Sequence, residues 1–261
     1  MFMFPFALLD PKAQARIQEH NQRERERRIA AAVPWTADTK WQRELNLQAA
    51  SYKPLSIFDV APTHRTDPNK APKASQAISA DGRWLYLNKQ LPTGTKLSTM
   101  IGNRNGTVMF DGPAIIPALH NRWSGGDEGS WREEPFMSLT PMEFLSLRAG
   151  TRLARGHVVI GGLGLGHQLI EVSKKRGVKK ITVVERCQDL VDFVWTHIQP
   201  HVKCPVEIVV DDAKVAIPKM TADVALIDIF PHYGGNEFPR CPSIKRVWCW
   251  GASFVGNTNS W

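Results

Sequence analysis

The feature that most constrains this chain is the rhythm of its C-terminal part, where short apolar runs alternate with amphipathic stretches. The runs are His157-Val158-Val159-Ile160, Ile181-Thr182-Val183-Val184, Val206 to Val210 and Val224-Ala225-Leu226-Ile227. Between them, helices are predicted from about His167 to Lys175 and from about Asp189 to His197. Strands without polar alternation are buried on both faces, which a parallel sheet covered by crossover helices achieves. A Rossmann-like, doubly wound, mostly parallel α/β sheet is therefore expected over 157–261. In such sheets a ligand binds beyond the carboxyl ends of the strands, so the residues that follow each run carry the functional information.

Those residues form a series. The first run ends in Gly161-Gly162-Leu163-Gly164-Leu165-Gly166, the second in Glu185, the third in Asp211-Asp212 and the fourth in Asp228. Glycines in the first turn let the backbone pass close to a ligand and leave N–H groups at the start of the next helix free for a carboxylate. Glu185, 19 residues after Gly166, is placed to take both hydroxyls of a ribose. Asp212, with Asp211 beside it, would stand next to an adenine, where a carboxylate accepts from the exocyclic amine. Together these strand ends predict an adenosine-containing ligand. Gly162, Gly164 and Gly166 are spaced i, i+2, i+4, whereas the dinucleotide fingerprint needs i, i+2, i+5, and position 167 is His. No Gly-x-x-x-x-Gly-Lys-Ser/Thr occurs, which excludes a P-loop.

The rest of the chain is organised differently. With 261 residues and 43% apolar content, it suits one large domain with an appendage. Residues 1–80 are expected to be a helical arm and a Pro-rich linker. A polar helix over 11–32 opens at Pro11 and stops at Val33-Pro34, a second helical stretch runs from Thr36 to Ala50, and 52–80 hold Pro54, Pro62, Pro68 and Pro72. Residues 81–156 are expected to be β-rich. The runs Trp84 to Leu87, Leu97 to Ile101 and Thr107 to Phe110, split by turn residues, read as a small β-meander. Ser138 to Arg155 reads as one helix, with Thr140 as cap, Pro141 at its first position and Glu143 three residues after the cap.

Composition narrows the partners and the chemistry. The net charge of +8 is spread over all three stretches, so it permits a nucleic-acid partner without selecting one. Lys174, Lys175, Arg176, Lys179 and Lys180 fit a solvated helix end. No run is apolar and long enough for a membrane helix, and Met1 to Leu9 lacks a basic flank and a cleavage site, so no membrane partner is expected. Four cysteines without CxxC spacing suit reduced thiols in a cytoplasmic compartment. Cys187, His197, His201 and Cys204 look superficially like zinc ligands, but Pro200 interrupts any helix that would align them, and no metal is expected. Trp123 and Trp131 flank Gly125-Gly126-Asp127-Glu128-Gly129 and form either an aromatic clamp or a packing pair. The N-terminal region is a candidate for homo-oligomer contacts or for docking another partner.

The glycine spacing followed by Glu185 resembles motif I and its acidic partner in the class I S-adenosylmethionine-dependent methyltransferases. The chain further resembles the spermidine-synthase-like branch in Val108-Met109-Phe110-Asp111-Gly112, Val158-Val159-Ile160-Gly161-Gly162, Val209-Val210-Asp211-Asp212-Ala213 and Asp223 to Asp228. The resemblance implies an S-adenosylmethionine-dependent methyltransferase of unidentified acceptor, with an aminopropyltransferase-like enzyme and a non-catalytic Rossmann-fold scaffold as alternatives. It implies that Gly162, Gly164 and Gly166 hold the methionine end, Glu185 the ribose, Asp211-Asp212 the adenine side, and that Asp228 faces the acceptor or the methionine amine. His232 and Tyr233, close after Asp228, are candidates to orient the acceptor or remove its proton. The chain departs from the pattern at Ile160, where a typical loop has an acid, and in Ile229-Phe230-Pro231-His232-Tyr233-Gly234-Gly235, which lacks the second acid of polyamine synthases. Some 33 residues follow Asp228, room for a fifth strand at Arg246 to Phe254 but hardly for the family's closing hairpin, so a truncated sheet is expected.

Overall fold

The computed structural model describes residues 15, 19–20, 22–23, 26, 32–34, 52, 54–101, 104–110, 112–122, 130–230 and 237–251. In chain order the strands are β1 (Ala32–Pro34), β2 (Gln76–Ile78), β3 (Trp84–Leu91), β4 (Lys96–Ile101), β5 (Arg104–Met109), β6 (Ala114–Asn121), β7 (Met137–Ser138), β8 (Gly156–Gly161), β9 (Val178–Glu185), β10 (Val206–Val210), β11 (Ala222–Ile227) and β12 (Ile244–Cys249). The helices are α1 (Pro141–Ser146), α2 (Arg148–Leu153), α3 (His167–Ser173), α4 (Gln188–Ile198) and α5 (Ala213–Ala216). The chain groups into two compact units, Met1–Ser51 with Pro92–Pro113, and Tyr52–Leu91 with Ala114–Trp261. This grouping cuts the chain at places other than the expected boundaries at 80 and 156.

The first unit contains a three-stranded sheet in the order β1-β5-β4. Strands β4 and β5 form an antiparallel hairpin, and β1 joins β5 in parallel with Ala32 opposite Thr107. Of the predicted arm, Ala15, Glu19, His20, Gln22, Arg23 and Glu26 are helical and exposed. Val33 and Pro34 do not simply stop that helix; they belong to β1, with Pro34 at its last position, where a missing N–H is tolerated. The stretch Thr36 to Ala50 lies outside the described residues.

The second unit is built on a five-stranded, wholly parallel sheet in the order β10-β9-β8-β11-β12. The chain runs from β8 outward through β9 to β10, then returns to the other side of β8 as β11 and β12. That reversal places a crevice at the carboxyl ends of β8 and β11, a doubly wound α/β arrangement. The fifth strand begins two residues before the expected Arg246 and ends at Cys249, while residues 252–261 lie outside the described set.

Alternation along the buried strands explains the layers. Val158 and Ile160 of β8, with Val224 and Leu226 of β11, face a core shared with Leu169, Leu190 and Val194 of the helices. Val159, Ala225 and Ile227 face the opposite side, against Ala213, Ala216, Ile217 and Ile244. Apolar residues at every position of a strand are used twice, once for each face.

A second sheet of this unit is antiparallel, in the order β2-β3-β6-β7. The expected meander is thus interrupted: β3 pairs along its whole length with β6, and the β4–β5 hairpin lies between them in sequence but in another sheet. Strand β6 is not among the expected runs, and it carries Pro117 inside Ile115-Ile116-Pro117-Ala118-Leu119. Its position opposite Asn88 needs no donor from it, and its carbonyl accepts from Leu139 N–H at 2.9 Å. The linker reading of 52–80 is also corrected. Ile57 and Phe58 are buried in the same core as Val158, and the Phe58 ring lies 4.8 Å from Tyr86 and 4.7 Å from Phe193. Pro68 and Pro72 open or precede short 3-10 turns rather than a free linker.

The single helix expected over 138–155 is two. Thr140 caps α1, Pro141 opens it, and Leu147 separates it from α2. Ser146 Oγ donates to Glu143 O at 3.2 Å and Thr151 Oγ1 to Leu147 O at 3.0 Å, side-chain bonds that compete with the helical ladder at the break. One lysine of the cluster caps a helix other than its own: Lys175 Nζ donates to Thr151 O and Arg152 O, at 2.6 and 2.7 Å, in the last turn of α2.

Candidate functional site

The glycine loop follows β8 directly and leads into α3. Gly162 has φ +92° and Gly164 φ +51°. A Cβ at Gly162 would stand 2.6 Å from the Asp228 carbonyl oxygen, and one at Gly164 would stand 2.5 Å from Met137 Sδ. Gly162 therefore requires glycine on two counts, backbone conformation and approach to a backbone oxygen, and Gly164 on the first, since the methionine side chain beside it can turn away. Gly166, with φ +74°, caps the start of α3, and a Cβ there would meet Ile198 at 2.7 Å, so its missing side chain also serves helix packing.

Glu185, the last residue of β9, is tied to the loop. Its Oε2 accepts from Leu163 N–H at 3.0 Å and its Oε1 from Cys187 N–H at 2.9 Å. Two backbone donors fix the carboxylate, and each oxygen keeps a lone pair for a further hydroxyl. Asp211 is exposed, and its Oδ1 accepts from Asp212 N–H at 2.7 Å. Asp212 caps α5, accepting from Lys214 N–H at 2.8 Å, so one of its oxygens already has a structural duty. Asp211 N–H donates to the Glu185 carbonyl at 3.1 Å, which joins the two strand ends.

Asp228 follows β11, and its N–H donates to Gly161 O at 3.0 Å across the switch point. Sequence reading paired it with His232 and Tyr233, which lie outside the described residues. The structure instead places Asp228 within electrostatic reach of Glu143 in the first turn of α1. Burial raises the Asp228 carboxyl well above the usual range; burial and the Asp228 charge do the same to Glu143. Asp228 also helps raise the Cys249 thiol, which burial chiefly pushes up to about 12. The signal for Glu143 was present in the sequence, but as a capping acid. Thr140 Oγ1 does accept from Glu143 N–H at 3.4 Å, yet Thr140 N–H donates to Ser138 O at 2.9 Å rather than to the Glu143 carboxyl.

Beside Glu143, the Phe144 ring stacks on His167 with centroids 4.0 Å apart, and Tyr52 packs on Phe144 at 5.4 Å. Burial lowers the His167 imidazole to about 4, so it is neutral at ordinary pH. Met137, Phe144 and Tyr52 were missed in the sequence, since nothing in their local spacing connects them with the loop. Trp131, one of the two clamp candidates, is buried against Ala71, Leu85 and Leu87, with Asn69 Oδ1 accepting its N–H at 2.8 Å; it packs. Trp123 lies outside the described residues. Among the described residues no group of three or more His, Cys, Asp and Glu side chains could hold a metal ion, and the His197 ring lies 4.2 Å from that of Phe58. No helix among the described residues is long and apolar enough to cross a membrane.

The fold and the strand-end residues define a doubly wound α/β protein with a candidate nucleotide site at its switch point. No protein-family model matches the chain, and no curated protein matches it. Solved structures do match it in part. A SAM-dependent methyltransferase from Thiobacillus denitrificans in complex with S-adenosyl-L-homocysteine matches at 23% identity and TM-score 0.27, over 34% of this chain and 36% of that one. A spermidine synthase from Thermotoga maritima matches at 16% and 0.29, over 59% and 52%. A shikimate dehydrogenase from Mycobacterium tuberculosis matches at 20% and 0.26, over 43% and 40%. The chain thus spans between about a third and just over half of the length of these proteins.

Proposed function

We propose that this protein is an S-adenosylmethionine-dependent transferase, most simply a methyltransferase, acting on an unidentified acceptor. The observation that carries this reading is Glu185 at the end of β9, its carboxylate held by Leu163 N–H of the glycine loop and by the N–H of Cys187, which caps α4. The residues fit the cofactor: Gly162 and Gly164 take positive φ and carry no side chain where the backbone must come close, and Glu185 retains lone pairs for two ribose hydroxyls. The glycine spacing favours this ligand over a dinucleotide. Gly162 and Gly164 would lie along the amino-acid end, Glu185 at the ribose and Asp212 toward the adenine.

When bound, S-adenosylmethionine supplies a methyl group already activated by the sulfonium. The protein's own part is to align an acceptor, exclude water and receive a proton. A carboxyl raised out of its usual range exchanges protons near neutrality, so the Asp228 and Glu143 pair suits uptake of the proton that leaves an acceptor O–H or N–H. His232 and Tyr233 are proposed to orient that acceptor. Phe144, stacked on His167, would form an apolar wall beside the pair.

A second reading, a non-catalytic scaffold, is favoured by one contact: Leu165 N–H of the loop donates to Met137 Sδ at 3.1 Å. Titration calorimetry separates the two. S-adenosylmethionine and S-adenosylhomocysteine are expected to bind, with Glu185→Ala weakening both by about fivefold or more. A folded protein that takes up neither supports the scaffold and overturns the transferase.

A further inference from the structure

Most amides of the glycine loop donate to strong acceptors within the protein. Gly162 N–H donates to Val184 O at 2.9 Å, Leu163 N–H to Glu185 Oε2 at 3.0 Å and Gly166 N–H to Leu163 O at 2.9 Å. Leu165 differs. Its N–H donates to the thioether of Met137 at 3.1 Å, and a thioether is a weak acceptor. Gly164 meets the same side chain, since a Cβ there would stand 2.5 Å from Sδ and 3.0 Å from Cε of Met137.

The backbone that carries Met137 is fixed. Met137 pairs with Leu119 in the β6–β7 ladder, and two residues later Leu139 donates its N–H to Pro117 O at 2.9 Å and accepts from Tyr52 OH at 3.0 Å. The side chain is the movable part: an unbranched methionine can leave the loop by rotation about its own bonds while β7 stays in place.

We propose that Met137 is a displaceable residue of the cofactor site, its thioether competing with the amino-acid carboxylate of the cofactor for the Leu165 N–H. The proposal rests on the cofactor reading above. A carboxylate is the stronger acceptor because it is charged, so exchange runs toward the bound state. The fraction of molecules with Met137 off the loop divides into the intrinsic dissociation constant, so the contact lowers apparent affinity. One hydrogen bond of ordinary net strength corresponds to about two- to tenfold.

The test is titration calorimetry of S-adenosylhomocysteine into the full-length chain, its Met137→Ala variant and its Met137→Leu variant. Displacement predicts tightening by about threefold or more in Met137→Ala and a smaller gain in Met137→Leu, which keeps the bulk but removes the acceptor. The leucine variant also covers the case in which the alanine variant does not fold. Affinity that is unchanged or weaker in the folded variants, with the wild-type protein binding, overturns the proposal and leaves the cofactor reading intact. Carbon-13 methyl labelling of methionine supplies a second readout. The Met137 resonance, assigned by its absence from Met137→Leu, is expected to move on saturation with S-adenosylhomocysteine, and a resonance that stays put overturns displacement. Variants that bind where wild type does not support the proposal most strongly. Binding by none of the three overturns the cofactor reading and this proposal together.

Discussion

At Glu143 the backbone N–H is held by Thr140 while burial and the Asp228 charge raise its carboxyl. The folded state therefore holds protons on this pair that the unfolded chain has already released, over the interval between the ordinary carboxylate range and the raised values. Stability from this source is present below the unfolded values and is lost as pH rises through the folded ones. Glu143→Gln removes the ionisation with little change of shape, so it is expected to raise Tm by about 3 °C or more near pH ~8.5 and to change it little near pH ~5. Differential scanning calorimetry at the two pH values checks this; an equal effect at both would mean that Glu143 acts through packing rather than charge. The same residue shows how a sequence signal can be read correctly and still mislead. An acid three positions after a threonine is what a reciprocal cap requires, but the Thr140 N–H is used by Ser138, and the carboxyl lies in the field of Asp228, far off in the chain, which no local window contains.

At the scale of elements, α2 carries a test of packing against propensity. Gly150 lies inside this helix, where alanine is ordinarily better by about 1 kcal/mol. Here a Cβ would stand 2.4 Å from Cε3 of the Trp248 ring on β12, and a buried indole has little freedom to give way. Overpacking typically costs about 1–3 kcal/mol, so it outweighs the propensity gain, and Gly150→Ala is expected to lower Tm by several degrees. A higher Tm would show that Trp248 can shift. The elements also differ in how well they could be read. Strands β8 to β11 and helices α3 and α4 lie close to their predicted limits because apolar periodicity and turn glycines act locally. Strand β6 contains Pro117, which forbids a donor at one position only, and whether that position needs a donor depends on the neighbouring strand. Strand β7 is two residues long and exists through pairing with Ala118 and Leu119; its own sequence carries no strand signal.

For the whole molecule, the described candidate site residues, Met137, Glu143, Gly162, Gly164, Glu185, Asp212 and Asp228, belong to the unit formed by Tyr52–Leu91 and Ala114–Trp261. A chain lacking residues 1–51 is therefore expected to bind S-adenosylhomocysteine with an affinity within about twofold of the full chain. Calorimetry on the shortened protein checks this, and light scattering on both forms tests the proposed role of the arm in assembly; loss of binding on deletion would place part of the site in the first unit. The amino-acid sequence by itself determined the parallel α/β sheet, its glycine turn and the acids that close three of its strands, because burial on both faces and the spacing of glycines act over a few residues. Only the tertiary structure decided that Glu143 lies in the field of Asp228, that Met137 lies on Leu165 N–H and that Ile57 and Phe58 join the main core. Those contacts join segments far apart in the chain, and their geometry depends on how strands order and helices pack, which local periodicity does not encode.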